Sequence, residues 1–393
     1  MFDNLFTDMY DVVYRMYGGK TKEERIYDVQ DAVKREVETK SVPDKLRYLF
    51  IKISNYCNSD CEYCMHAVSR NKMEKKNEIS TELAMKVIKE ACDLGVHTII
   101  LSGGEPLLRD DIYDLIAYIK SRGIVPGILT NGTLLDTELP IKSCPDTHSD
   151  QVPKENLDNH RMKIWERLGE AGIGYITISF DSATREIYEK HRGISFDMAV
   201  SGINAAMKLR EKYPHVEVHV SAVLARDNQE DFLKLVEYLT ERRIAVQISP
   251  LHDFIGNSKD NLIFDRDDFE RFTQRVLDMK RNGSLISSSE EFIKHLPRFF
   301  CDNKRLPENF ACKIGYSALY IDAYMNVRTC WDDKIPPIGN IKENTLQELW
   351  FSDDMQKRRE RMLKCQCTGC WYMCTAEITL LFDDIENRGE CSQ

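Results

Sequence analysis

From Tyr48 to Cys64 the chain reads YLFIKISNYCNSDCEYC, a run rich in β-branched and aromatic residues followed by a polar loop that carries Cys57, Cys61 and Cys64. A run of that composition ending in a polar turn reads as a β-strand. Five more candidates follow: HTIILSG from His97, IVPGILTNG from Ile124, YITISFD from Tyr175, VEVHVSAVL from Val216 and IAVQISP from Ile244. Between them lie longer amphipathic stretches such as STELAMKVIKEACDLG and SFDMAVSGINAAMKLREKY, each opened by a serine or threonine able to cap a helix. Strands alternating with helices predict an α/β fold, either a parallel sheet or a partial barrel. In that architecture loops from several strands converge at the carboxyl ends. Cys57 follows the first strand, Gly103 to Pro106 the second, Thr130 to Gly132 the third and Ser179 to Asp181 the fourth.

Outside this α/β core, placed at residues 46–255, the chain divides further. Residues 1–45 are strongly charged, with Ile26, Val29 and Val33 at helical spacing, and predict a helical extension. Residues 256–300 read as a bridging helical segment, and residues 301–393 as a cysteine-rich domain. Residues 134–160 form an unusually long polar connection, the kind that serves as a lid or an insertion. Cys144 is a loop thiol within it, and Cys92, on KVIKEACDLG, reads as a core residue.

Composition narrows the function. Hydrophobic residues make up 42% and charged residues 30% of 393, a globular balance, and no apolar run approaches the ~20 residues that a membrane crossing requires. Asp3 and Asp8 stand where a secretory signal would be basic and then apolar, which predicts a cytoplasmic chain. A net charge of -10 argues against nucleic acid as a partner. In a reducing compartment thirteen cysteines point to metal ligation or catalysis rather than disulfides. Three close thiols suit a site with an open coordination position, and thiolates are the usual ligands of iron-sulfur clusters. Eight more, Cys301, Cys312, Cys330, Cys365, Cys367, Cys370, Cys374 and Cys391, are the number that ligates two [4Fe-4S] clusters. Zinc is the alternative at both places, because a cysteine count does not choose the metal.

The Cys-x3-Cys-x2-Cys loop, with Tyr63 just before its last cysteine, and the LSGGEP segment about forty residues later resemble the radical S-adenosylmethionine superfamily. That resemblance implies a partial (β/α)6 TIM-like barrel in which Cys57, Cys61 and Cys64 hold a [4Fe-4S] cluster that binds S-adenosylmethionine. It also implies that Gly103, Gly104, Glu105 and Pro106 hold the methionine amino group. Thr130 and Asn131 would line the pocket, Ser179 and Asp181 would hydrogen-bond the ribose, and Arg192 of HRG would pair with the methionine carboxylate. The last third resembles the SPASM extension of these enzymes, with IGNIKENTLQELW similar to its linker. By that likeness Cys301, Cys312, Cys330 and Cys374 hold one auxiliary cluster, and Cys365, Cys367, Cys370 and Cys391 the other. Two departures stand out: Met325 replaces a usual glycine, and the later group is spaced Cys-x-Cys-x2-Cys-x3-Cys instead of Cys-x2-Cys-x5-Cys-x3-Cys.

The implied chemistry is one-electron cleavage of S-adenosylmethionine to a 5'-deoxyadenosyl radical, with flavodoxin or ferredoxin as electron donor. The radical takes hydrogen from a substrate carbon, and the auxiliary clusters would take up the electron left behind, bind a substrate thiolate or play a structural part. The expected substrate is a ribosomally made peptide, undergoing cross-linking, dehydrogenation or epimerisation; the alternative is a small molecule such as an aminoglycoside or nucleoside. About 45 residues before the first strand are too few for a peptide-recognition domain, so either a separate protein would present the peptide or the substrate would be the small molecule. Cys144 would be the hydrogen donor of an epimerase, and His252, Asp253 and Asp332 are candidate proton acceptors. Trp331, where relatives that oxidise a protein-bound cysteine or serine carry aspartate, argues against sulfatase maturation. An electron-transfer protein or a structural zinc protein is the rival of another class.

Overall fold

All six expected strands form: β1 (Tyr48–Ser54), β2 (Thr98–Gly103), β3 (Val125–Thr130), β6 (Tyr175–Ser179), β7 (Glu217–Leu224) and β8 (Ala245–Pro250). They pair in parallel in that order, making the partial barrel. Between β3 and β6 the short strands β4 (Glu138–Pro140) and β5 (Arg161–Lys163) form a separate antiparallel hairpin at the two ends of the long insertion. The computed structural model describes residues 32–64, 78–140, 161–252, 262, 264–302, 310–330, 335–364, 366 and 370–388.

Alternation along each strand sorts the sheet into two unlike faces. On one, Leu49, Ile51 and Ile53 of β1 lie beside Ile99 and Leu101 of β2, and Ile176 and Ile178 of β6 beside Val218 and Val220 of β7. All are buried. The helices bring matching apolar stripes, such as Ala84, Val87, Ile88 and Ala91 of Thr81–Asp93, a helix capped by Ser80. Each fully buried aliphatic side chain of this kind contributes roughly 1.5–3 kcal/mol. The other face pairs Lys52 with Ser102, Thr177 with His219, Ser179 with Ser221, and Ser221 with Gln247. Because helices surround a barrel of this type, that polar face is its interior.

The carboxyl-terminal third does not stand apart from the sheet. Its strand β9 (Ala318–Ile321) pairs in parallel with β1, and β10 (Asn326–Arg328) and β11 (Gly339–Asn340) continue antiparallel beyond it. Among the described residues the sheet therefore has nine strands where the sequence predicted six. Met325, in the β9–β10 turn, has φ of +68° and is only 3% exposed, so a buried side chain occupies a left-handed position. Within IGNIKENTLQELW the helix Leu346–Trp350 is opened by a Thr345–Glu348 capping box. Trp350 Nε1 donates to Pro43 O at 2.9 Å and Arg47 pairs with Glu36 at 3.0 Å, which tie the helical residues 32–38 and their connection to the body. Helices lie at Arg266–Arg281, Glu290–Lys294 and Leu296–Cys301. Among the described residues no helix is long and apolar enough to cross a membrane.

Candidate active site

The loop carrying Cys57, Cys61 and Cys64 leaves β1 at the carboxyl end of the sheet, and all three side chains are partly exposed. It is held from three sides. From β2, Gly104 N donates to Ser54 O at 2.8 Å and Glu105 N to Tyr56 O at 2.7 Å. This approach needs glycine: a Cβ at Gly103 would lie 2.3 Å from Ser54 O, and one at Gly104 only 2.1 Å from Tyr56 O. From the end of the helix Arg185–Arg192, Arg192 O accepts the Ser59 hydroxyl at 2.5 Å and Asp60 N at 3.2 Å, while His191 O accepts Glu62 N at 3.1 Å. From β3, Asn131 Nδ2 donates to Asn58 Oδ1 at 2.7 Å, and Asn58 Nδ2 donates to Thr133 Oγ1 at 3.1 Å. Thr133 closes the ring by donating to Asn131 Oδ1 from its amide at 3.0 Å and its hydroxyl at 2.6 Å.

Glu105 braces two strand tips. Its carboxylate accepts from Leu107 N at 3.0 Å, Thr130 Oγ1 at 2.8 Å and Asn131 N at 2.8 Å, and it has no exposed surface. Burial pushes its carboxyl up to about 7 against the pull of those donors. Pro106 follows as the first residue of the turn Pro106–Leu108. Burial likewise pushes the Cys57 thiol up to about 11, opposed by the Ser59 amide 3.4 Å from its sulfur. A bound metal centre would hold it as thiolate.

Asp181 and Arg192 face each other. Arg192 Nε and Nη2 donate to the Asp181 carboxylate at 2.6 and 2.5 Å. Val223 N adds a bond at 2.8 Å, and the Tyr63 hydroxyl donates to the same carboxylate. Asp181 is wholly buried and Arg192 nearly so, because a bare charge at this depth would be costly and each partner satisfies the other. Arg192 Nη1 also reaches Cys61 Sγ at 3.9 Å. Ser179 remains partly exposed on the interior face, opposite Ser221.

Of the carboxyl-terminal cysteines, Cys301 ends the helix Leu296–Cys301, Cys312 is buried ahead of the turn Ile314–Tyr316, Cys330 follows β10, and Cys370 and Cys374 flank the start of the helix Met373–Arg388. The Tyr320 hydroxyl on β9 donates to Cys374 Sγ at 3.8 Å, and burial with Cys374 and Cys330 nearby raises its own pKa well above the usual value. Cys365, Cys367 and Cys391 lie outside the described residues, as do Cys144, Asp253, Trp331 and Asp332. His252, just beyond β8, stacks on Tyr372 with ring centroids 3.9 Å apart. Cys92 is partly exposed, its thiol 3.7 Å from Arg122 O. Among the described residues no three histidine, cysteine or acidic side chains close in to single-ion distance, and that includes Cys57, Cys61 and Cys64. Three cysteines on one loop, with an amide donor on one sulfur and a guanidinium beside another, fit an iron-sulfur cluster.

Sequence reasoning missed Asn58, Ser59 and Thr133. For Thr133 a signal existed, since Asn-Gly followed by threonine favours a turn in which the asparagine side chain accepts from the amide two residues on. For Asn58 and Ser59 there was none, because their partners, the turn after β3 and the end of the helix Arg185–Arg192, are distant in the chain.

Residues 51–239 match the model of the radical SAM superfamily, and residues 312–371 match that of SPASM, an iron-sulfur cluster-binding domain. Among curated proteins the chain is 27% identical over 377 residues to Fe-coproporphyrin III synthase of Methanosarcina barkeri, spanning 86% of each. It is 25% identical over 363 residues to PqqA peptide cyclase of Rhizobium meliloti, spanning 87% of this chain and 84% of that one. Among solved structures, Streptococcus suis SuiB bound to S-adenosylmethionine shares the fold, with a TM-score of 0.60 at 16% identity over 90% of this chain and 82% of that one.

Proposed function

The chain belongs to the radical S-adenosylmethionine superfamily and carries a SPASM domain, and from that premise we propose that it abstracts hydrogen from a carbon of a peptide substrate. It is an enzyme whose cofactors are S-adenosylmethionine, a [4Fe-4S] cluster that binds it and auxiliary iron-sulfur clusters. Cys57, Cys61 and Cys64 are the proposed ligands of the first. The observation that carries this assignment is the three-sided anchoring of their loop at the strand ends. Cys301, Cys312, Cys330 and Cys374 are the proposed ligands of one auxiliary cluster, a reading supported by the Tyr320 hydroxyl, which donates to Cys374 Sγ and feels the charge of Cys330. Cys365, Cys367, Cys370 and Cys391 are proposed for the other.

When bound, the cluster and S-adenosylmethionine supply one-electron cleavage of the sulfonium and a carbon-centred radical. The chain's own residues do the rest. Gly103 and Gly104 let the β2 tip lie against the cysteine loop, Glu105 locks that tip to β3, and the Asn58–Asn131–Thr133 ring sets the loop's height above the sheet. Ser179 is the proposed ribose donor, since it faces the interior with part of its surface open. The polar interior of Lys52, Ser221 and Gln247 would orient a hydrogen-bonding substrate against the cofactor. A flavodoxin or ferredoxin is the proposed electron donor.

The peptide reading is supported by the match along most of both chains to PqqA peptide cyclase. A tetrapyrrole is the second reading, favoured by the equally extensive match to Fe-coproporphyrin III synthase. The test is anaerobic reconstitution with iron and sulfide, reduction, and detection of 5'-deoxyadenosine by mass spectrometry. Replacing Cys57, Cys61 and Cys64 with alanine should take iron from about twelve to about eight per chain and abolish the nucleoside. Unchanged iron or continued cleavage would overturn the assignment. Faster cleavage with iron coproporphyrin III, and a matching change in its mass, would replace the peptide reading with the tetrapyrrole one.

A further inference from the structure

Arg192 stands between a buried carboxylate and one thiol of the proposed cluster site. Two of its nitrogens are taken by Asp181, at 2.6 and 2.5 Å, while the third, Nη1, lies 3.9 Å from Cys61 Sγ, within hydrogen-bonding reach of the larger sulfur atom. Its main-chain oxygen accepts from Ser59 and Asp60, so the backbone under the guanidinium is fixed to the cysteine loop. Asp181 is fixed in turn by Val223 N and the Tyr63 hydroxyl. The guanidinium therefore cannot shift without moving the loop or breaking a buried ion pair. The guanidinium is planar, so pinning two nitrogens on Asp181 fixes where the third points, and here it points at sulfur.

We infer that Arg192 tunes the three-cysteine cluster, donating N–H to the Cys61 thiolate and favouring the reduced form, with Asp181 setting how much of its positive charge the cluster feels. The inference rests on Cys61 being a cluster ligand. One-electron reduction adds negative charge to the cluster, and a cation within hydrogen-bonding reach of a ligand sulfur stabilises that form more than the oxidised one. Burial keeps the effect from being screened by solvent. Arg192 is thus a positioning residue acting through Cys61.

The experiment is a potentiometric titration of the reconstituted full-length protein followed by electron paramagnetic resonance. The reduced signal that changes when S-adenosylmethionine is added marks the three-cysteine cluster. Arg192→Lys keeps a cation for Asp181 but loses the planar fork that spans both partners. Asp181→Asn keeps oxygen and leaves the Arg192 charge uncompensated. With iron per chain unchanged, the midpoint should move to more negative potential in R192K and to more positive potential in D181N. At the potential that half-reduces the wild type, the reduced fraction of R192K should fall severalfold. Coincident midpoints in all three proteins would overturn the inference, as would a shift of the same sign in both variants, which is what general loosening produces. Weakened binding of S-adenosylmethionine to oxidised R192K at an unmoved midpoint would also overturn it and return Arg192 to the methionine carboxylate. If R192K loses iron, D181N decides alone: a negative or absent shift refutes. A wild-type protein whose signal ignores S-adenosylmethionine, and whose iron survives loss of the three cysteines, would instead sink the site assignment beneath the inference.

Discussion

Gly104→Ala is the sharpest test of how the site is built. The new methyl carbon would sit 2.1 Å from Tyr56 O and 2.5 Å from Tyr56 C, both main-chain atoms that no rotamer change can move. Relief requires the β2 tip and the cysteine loop to part by roughly 1 Å, since ordinary carbon-to-oxygen contacts lie above about 3 Å. That separation breaks the two bonds joining them, Gly104 N to Ser54 O at 2.8 Å and Glu105 N to Tyr56 O at 2.7 Å. A buried hydrogen bond lost with its partners unsatisfied costs about 1–3 kcal/mol, so the pair costs about 3 kcal/mol after partial rehydration. Amide hydrogen exchange reads that opening directly. At tenfold per 1.4 kcal/mol, the amides of residues 104 and 105 should exchange about 100-fold faster than in the wild type, while those of β7 stay unchanged. Cys57 follows Tyr56 directly, so the displaced loop should also cleave S-adenosylmethionine at least tenfold more slowly, the order of loss expected for a misplacement near 1 Å. Wild-type exchange at residues 104 and 105, with full cleavage, would refute the argument that close backbone approach is why these glycines are there.

His219 is buried, and burial pushes its pKa from 6.5 down to about 4. Between those values the unfolded chain binds a proton that the folded chain refuses, so its share of stability is complete above about pH 6.5 and is lost as the pH falls toward 4. The full swing is about 3 kcal/mol at 1.36 kcal/mol per pH unit. His219→Gln should flatten the pH dependence of urea unfolding across that window, and an unaltered slope would contradict it. Met325→Gly should relieve about 1–2 kcal/mol of left-handed strain but lose about 2–5 kcal/mol of buried side chain. The variant should therefore melt at lower temperature, and a higher melting temperature would show that the strain dominates.

What the sequence made legible, and what it did not, follows from the range of the interactions. β1 and β2 were visible because YLFIKIS and TIILSG are long enough for composition to announce a strand. β9, β10 and β11 were missed because ALYI, NVR and GN are too short to show a pattern, and their place in the sheet depends on partners such as β1, far off in the chain. The three-cysteine loop was plain from local spacing. The pairing of Asp181 with Arg192 was not, since both residues sit in motifs whose resemblance assigns them to the cofactor, and only burial shows them turned toward each other. Asn58 was silent for the same reason: its partners, Asn131 and Thr133, lie in the turn after β3, far off in the chain.

The pairing of β9 with β1 has a consequence for how the protein is made. Tyr48 waits for Ala318 as its neighbour, so during synthesis at about 5–20 residues per second one edge of β1 stays open for roughly 15–55 s. An unpaired edge beside a sticky aliphatic face is a template for the wrong strand. The nascent chain is therefore most exposed to aggregation before the cysteine-rich third emerges. A shortened chain ending after β8 would keep that open edge permanently.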